Sequence, residues 1–225
     1  MSALIETRAL TRRDERRQVA LLHPTDFTLN RADRVSITGS SGSGKSVFLR
    51  ALALLDVPSA GQILWNGQPI ANAEIPHYRS HISYLSQRPA LLEGTVEDNL
   101  RFPFSLKTLR KRSFDLQAVT TLLEHAGKAP EFLQKNAGDL SGGESQVVSL
   151  IRTLQLNPEV LLLDEPTAAL DPTSSRDVEA LIDAWFAGDN SRAFIWVSHD
   201  LDQAQRMSAI HLHMSAGVLS GAAQP

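Results

Sequence analysis

Followed from its amino terminus, the pattern of apolar and polar positions changes character twice. Short strand-like runs at residues 3–9, 18–22 and 26–29 are separated by polar turns. A β-branched run at 35–38 then ends on Gly39, and residues 46–55 form an apolar, helix-forming stretch. That order predicts a strand, a glycine loop and a helix. Residues 62–65 followed by Asn66-Gly67 predict a hairpin, because Asn and Gly tolerate the positive φ that tight turns require. Residues 82–85 predict a further strand.

Between residues 88 and 139 the pattern turns helical. Segments at 95–101 and 114–125 are interrupted by Pro103, Gly127, Pro130 and Gly138. From Ser141 onward helices and strands alternate again, with strands predicted at 160–163 and 193–197. Strands alternating with helices imply a mainly parallel sheet covered on both faces. The helical stretch then reads as an insertion, about 88–139, into one α/β domain comprising residues 1–225.

Composition narrows the function classes. A chain of 225 residues with 42% hydrophobic and 21% charged positions is ordinary globular material, long enough for one large core. No apolar run approaches the roughly 20 residues that span a bilayer, and no charged-then-apolar leader opens the sequence. Any membrane path is therefore expected on another polypeptide. Cysteine is absent, so disulfides are excluded and a reducing cytosol is expected. A formal net charge of −3 argues against a broad nucleic-acid surface.

Three segments carry candidate chemistry. Residues 39–46 read GSSGSGKS. Gly39, Ser40, Gly42, Ser43 and Gly44 can curl their backbone N–H groups around phosphate at the positive end of the following helix. Lys45 would reach the β- and γ-phosphates, and the Ser46 hydroxyl would ligate Mg²⁺. A flexible Gly/Ser linker is the rival reading, but a linker does not sit between a β-branched strand and an apolar helix. Residues 160–167 read VLLLDEPT and place two carboxylates where a buried strand ends. Asp164 would hold Mg²⁺ through its water shell and Glu165 would act as general base; alone, the segment is also a strand stopped by Pro166. Residues 140–144 read LSGGE. Ser141 and Glu144 make a capping box that starts a helix towards Leu154, and the same Ser-Gly-Gly terminus can receive an anion.

In this order, with Gln87 ahead of the second segment and His199 after the third, the chain resembles the nucleotide-binding subunit of an ABC transporter over about residues 5–216. The resemblance implies a P-loop NTPase of the ABC type: α/β, with a mainly parallel sheet core, N-terminal antiparallel strands and an inserted helical subdomain. It implies ATP and Mg²⁺ as cofactors and Glu165 as the catalytic glutamate. Ser141, Gly142 and Gly143 would grip the γ-phosphate of ATP bound to a second copy, the two copies pairing head to tail. Gln87 matches the Q-loop by position, where its amide would ligate Mg²⁺ or water. His199 matches the switch histidine and Asp171 the D-loop. Their plainer readings are a turn residue for His199 and a turn or helix start for Asp171-Pro172. The implied setting is the cytoplasmic face of the plasma membrane, peripheral to a multi-span permease that residues 88–95 would touch.

The stretch QRPALLEGTVEDNLRFPF with LSGGE is similar to a small bacterial group of iron-export ATP-binding subunits. Importer subunits for phosphate or amino acids are the rivals within the family. A soluble ABC ATPase, as in iron–sulfur cluster assembly, is the rival outside transport. Two features depart from the family pattern. No aromatic residue precedes Phe27, although the family stacks one on adenine from a loop here matched by TRRDERR at 11–17. Either Arg12 or Arg13 stacks its guanidinium on the base, or the segment is a solvated hairpin tip. Glu144 is followed by Ser145, Gln146 and Val147, where the family often continues with Gln-Arg. His211 and His213 share one face of a late strand as a metal pair or as solvated, hydrogen-bonded histidines, and Trp65, Trp185 and Trp196 read as packing aromatics.

Overall fold

The computed structural model describes residues 3–109, 111–168 and 170–221. Among the described residues the strands are β1 (Ala3–Asp14), β2 (Val19–Asn30), β3 (Arg34–Thr38), β4 (Ala60–Trp65), β5 (Gln68–Pro69), β6 (Ile82–Leu85), β7 (Val160–Asp164), β8 (Ala193–Val197), β9 (Ile210–Ser215) and β10 (Val218–Gly221). The α-helices are α1 (Lys45–Leu52), α2 (Ile75–His81), α3 (Val96–Arg101), α4 (Leu116–His125), α5 (Gly142–Leu154), α6 (Pro172–Ala187) and α7 (Leu201–Met207). They fall into two compact units. The first takes in residues up to Tyr84, Pro158–Glu165 and the stretch from Asn190; the second takes in Leu85–Asn157 and Pro166–Asp189.

The first unit carries both sheets. One is antiparallel in the order β2-β1-β4-β5, and the other runs β10-β9-β3-β8-β7-β6. Within the latter, β3 pairs in parallel with β8 and β9, and β7 with β8, while β10 closes antiparallel on β9. Every residue of β7 (VLLLD) and β8 (AFIWV) is buried. Such unbroken apolar runs form where both faces of a strand are covered, as the pattern at 160–163 and 193–197 implied. Helix α1 packs on β7 through the core that joins Phe48, Leu49 and Leu52 to Leu162. Phe27 of β2 meets Phe48 edge to face at 5.4 Å, which ties the antiparallel sheet to the same helix.

Two elements differ from expectation. The arginine-rich stretch at 11–17 is mostly strand: β1 continues to Asp14, and only the following residues turn. Strand pairing overrides its polar composition, since Arg12 and Arg13 sit opposite Leu22 and Ala20 of β2 while Thr11 pairs with Ala60 of β4. The helix expected to reach residue 55 stops at Leu52. Leu54 takes a left-handed φ of 54°, and Leu55 N–H donates to Arg50 O at 2.9 Å, so the last turn closes on itself.

The second unit is helical. Thr95 caps α3 by accepting from Asp98 N–H, and Asp115 caps α4 by accepting from Ala118 N–H. Buried Asn99 exchanges hydrogen bonds with Leu92 N–H and O at 2.8 and 3.0 Å, and Arg152 of α5 donates to Ala90 O at 2.8 Å. These bonds order the segment that follows β6. No helix among the described residues is long and apolar enough to cross a membrane.

Candidate nucleotide site

The first unit gathers most of the predicted phosphate chemistry. Gly44, the N-cap of α1, has φ 110°, a conformation L side chains rarely adopt, and an added Cβ there would lie 2.9 Å from Leu21 O. The cap carries no side-chain hydrogen bond, and the first turn of α1 contains no acid. Its N–H groups and the helix dipole therefore favour an anion. The loop is braced from behind: Gly217 N–H donates to Ser43 O, and His23 N–H donates to Gly217 O, both at 2.8 Å. Nothing in the sequence marked the β9–β10 turn for that role, because the contact spans more than 170 residues.

Lys45 is buried, with Nζ donating to Gly39 O at 2.8 Å and Ser40 O at 2.9 Å. Ser46 Oγ donates to Asp164 Oδ1 at 2.9 Å, and Tyr84 OH donates to Asp164 Oδ2 at 2.7 Å. Burial first, then the bond to Asp164, raises the Tyr84 hydroxyl above its ordinary pKa, so it stays a donor. Glu165 follows with a φ of 48°, unusual for a side chain of its size. Its carboxylate lies 4.0 Å from Lys45 Nζ and 3.7 Å from His199 Nδ1.

The residues suit a magnesium–polyphosphate. Ser43 Oγ is buried without a hydrogen-bond partner, an orphan that a phosphate oxygen would satisfy. A serine hydroxyl and a carboxylate are the hard oxygen donors that Mg²⁺ prefers. Gly39, Ser40, Gly42, Ser43, Gly44, Lys45, Ser46, Asp164, Glu165 and His199 are all in this unit. Sequence reasoning missed Tyr84. Its only signal was a tyrosine near the end of the strand leading to Gln87. Arg12, Arg13 and Leu21 border a cleft of about 510 Å³ at the hairpin end.

Gln87, Ser141, Gly142, Gly143 and Asp171 belong to the second unit, where Gln87 is exposed in the bend after β6. The capping box at α5 is complete: Glu144 N–H donates to Ser141 Oγ at 3.2 Å, and Ser141 N–H donates to Glu144 Oε2 at 2.9 Å. Lys135 Nζ donates to both Glu144 oxygens at 2.8 and 2.9 Å, and chiefly this holds the carboxyl below the usual range. Gly143 packs so closely on α6 that an added Cβ would lie 2.6 Å from Ser174 Cβ, whereas one at Gly142 would meet nothing. Asp171 caps α6, accepting from Thr173 N–H, Ser174 N–H and, at 2.6 Å, Ser174 Oγ. Those bonds, Ser174's hydroxyl first, lower its pKa. His211 and His213 hydrogen bond through Nδ1 to Ser36 and Thr38 hydroxyls at 2.9 and 3.4 Å. Trp185 and Trp196 are buried, and Trp65 is partly so.

Comparison with known proteins gives a consistent answer. Residues 22–168 match the family model described as ABC transporter. The chain is 39% identical over 183 residues to the probable iron export ATP-binding protein FetA of Escherichia coli, covering 81% of this chain and 80% of that protein. It is 38% identical over 213 residues to Protein STAR1 of rice (Oryza sativa), spanning 95% of this chain but 60% of the relative. It is 37% identical over 218 residues to the nickel import ATP-binding protein NikO of Rhodobacter capsulatus, covering 91% and 83%. CbiO1 of Clostridium perfringens, part of the ABC transporter complex CbiONQ, shares the fold with a TM-score of 0.81 over 98% of this chain and 89% of that chain, at 23% identity. Bearing the glycine loop, the paired carboxylates and the Ser-Gly-Gly helix start, the chain belongs to the ABC transporter family and has the fold of its ATP-binding subunits.

Proposed function

We propose that the chain binds Mg²⁺ and ATP and hydrolyses ATP to power an ABC transporter whose membrane path lies on a separate subunit. The observation that carries this reading is the bonded set Ser46–Asp164 beside Lys45 and Glu165, all within one compact unit. Lys45 exchanges its two loop carbonyls for phosphate oxygens when nucleotide enters, a charge-assisted replacement. Ser46 and Asp164 would hold Mg²⁺, with the Gln87 amide as a further ligand, and the ion would supply charge to offset the phosphate oxygens. Glu165 takes the proton of the attacking water, and His199 faces the same carboxylate. Two copies would complete each site, Ser141, Gly142 and Gly143 of one closing on the ATP of the other, with Asp171 at the junction. The pair would work at the cytoplasmic face of the plasma membrane against a multi-span permease. Metal export is the finer reading, supported by the identity to the E. coli relative.

Glu165→Gln should lower turnover roughly 10²- to 10⁴-fold, the usual worth of a general base, while ATP binding persists. Turnover retained in that variant would remove Glu165 from the role. Pull-down of tagged Glu165→Gln protein from solubilised membranes with ATP and Mg²⁺ should bring a stoichiometric multi-span protein. Recovery of soluble partners alone would end the transporter reading.

A further inference from the structure

Asp164 is fully engaged on both oxygens, and the second bond comes from a residue that the family motifs do not name. Ser46 Oγ donates to Oδ1 and Tyr84 OH to Oδ2, at 2.9 and 2.7 Å, around a carboxylate only 5% exposed. Ser46 is the second residue of α1, and Arg50 in the same helix is paired through two 2.9 Å bonds with Asp56, beyond its end. A line of polar groups thus runs Tyr84–Asp164–Ser46, entirely inside the first unit and partly on the helix that begins at the phosphate loop.

We propose that Tyr84 is the positioning residue for the Mg²⁺ site, fixing the rotamer of Asp164 so that its other oxygen stays on Ser46. A buried carboxylate with one oxygen lacking a donor would rotate to recover a partner. The phenol prevents that. It gives one hydrogen bond from a rigid ring. Ser46 spends its proton on Asp164, which leaves its lone pairs for the metal. Ser46 lies in α1, so the carboxylate is tied to the helix that begins at the phosphate loop. Groups that orient metal-binding side chains in this way commonly change metal affinity 10- to 100-fold when removed.

This inference rests on the proposed ATP site, and the test separates the two. Mn²⁺ affinity is read by electron paramagnetic resonance with the full chain and a non-hydrolysable ATP analogue, and analogue affinity is read separately in EDTA. Tyr84→Phe should weaken Mn²⁺ roughly tenfold and alter the bound Mn²⁺ spectrum, with EDTA affinity within about twofold of the parent. Against Asp164→Asn the same change should add almost nothing, because the phenol acts only through that carboxylate. Unchanged Mn²⁺ affinity in Tyr84→Phe, a parallel loss in EDTA, or full additivity with Asp164→Asn would each overturn the role while leaving the ATP site standing. A parent chain that binds neither analogue nor Mn²⁺ would overturn both.

Discussion

Helices α1 and α5 both begin at glycine-rich termini suited to phosphate, yet they resolve their unpaired N–H groups in opposite ways. At α1 the cap is Gly44, without a side-chain bond, and a lysine follows. At α5 the cap is Ser141 in a closed box with Glu144, whose negative charge Lys135 offsets. The first terminus carries no side-chain cap and is open to an anion. The second is satisfied within its own chain and retains one hydroxyl proton and the open side of Gly142 to offer. On the proposed function, one helix start would hold phosphate unaided, and the other would add contacts to a phosphate held elsewhere. In each case the glycine or serine is demanded by helix-end chemistry, but only at α1 does it also shape the loop.

The largest expected effect tests this division directly. Lys45→Ala should weaken ATP binding to the single chain roughly 30-fold, about 2 kcal/mol, the scale of hydrogen bonds to a charged group. Ser141→Ala should leave single-chain affinity within about twofold and reduce only ATP-dependent pairing, measured by sedimentation. Equal loss in both variants would break the comparison.

Next in size is the contrast between neighbouring glycines. Gly143→Ala forces a Cβ into Ser174 and should cost about 1–3 kcal/mol in urea unfolding, as overpacked sites do. Gly142→Ala meets open space and should stay within about 0.5 kcal/mol while still impairing ATP-dependent pairing. If the two variants unfold alike, the close approach of α5 to α6 is not what fixes Gly143.

The smallest effect is electrostatic. Glu144 has its pKa lowered on folding, chiefly by Lys135, so its contribution is present above the ordinary glutamate value of about 4.3 and is lost as pH falls through the lower folded value. Lys135→Gln should therefore cost about 0.5 kcal/mol at pH 7, discounted because Lys135 is 38% exposed, and nothing near pH 2. Urea unfolding at the two pH values reads the difference. Lys135 also accepts Val96 N–H through its carbonyl at 2.9 Å, so it ties the start of α3 to the helix that begins at Ser141.

Much of the fold was legible because its signals are local. Residues 82–85 and 193–197 are strands as the apolar runs implied, and Ser141 and Thr95 cap helices through bonds to residues three positions away. Helix α2 escaped notice: its seven residues IPHYRSH carry little apolar period, and it is held by tertiary bonds such as Tyr78 OH to Leu52 O at 2.6 Å. The extension of β1 to Asp14 escaped for a related reason. Charged residues form strand there because β2 pairs with Arg12, Arg13 and Asp14, and β4 with Thr11 just before them.

By itself the sequence determined which residues have the chemistry suited to phosphate and metal, since that chemistry lies in residue type and near spacing: glycines before Lys45 and Ser46, carboxylates ending a strand, a serine three residues before Glu144. Tertiary structure alone decided how those residues are held. Tyr84 reaches Asp164 across 80 positions, Gly217 braces Ser43 from the last hairpin, and Gly143 owes its identity to Ser174 on another helix. Hydrogen bonds and close contacts act over about 3 Å, and separation along the chain does not record which distant groups folding brings within that reach.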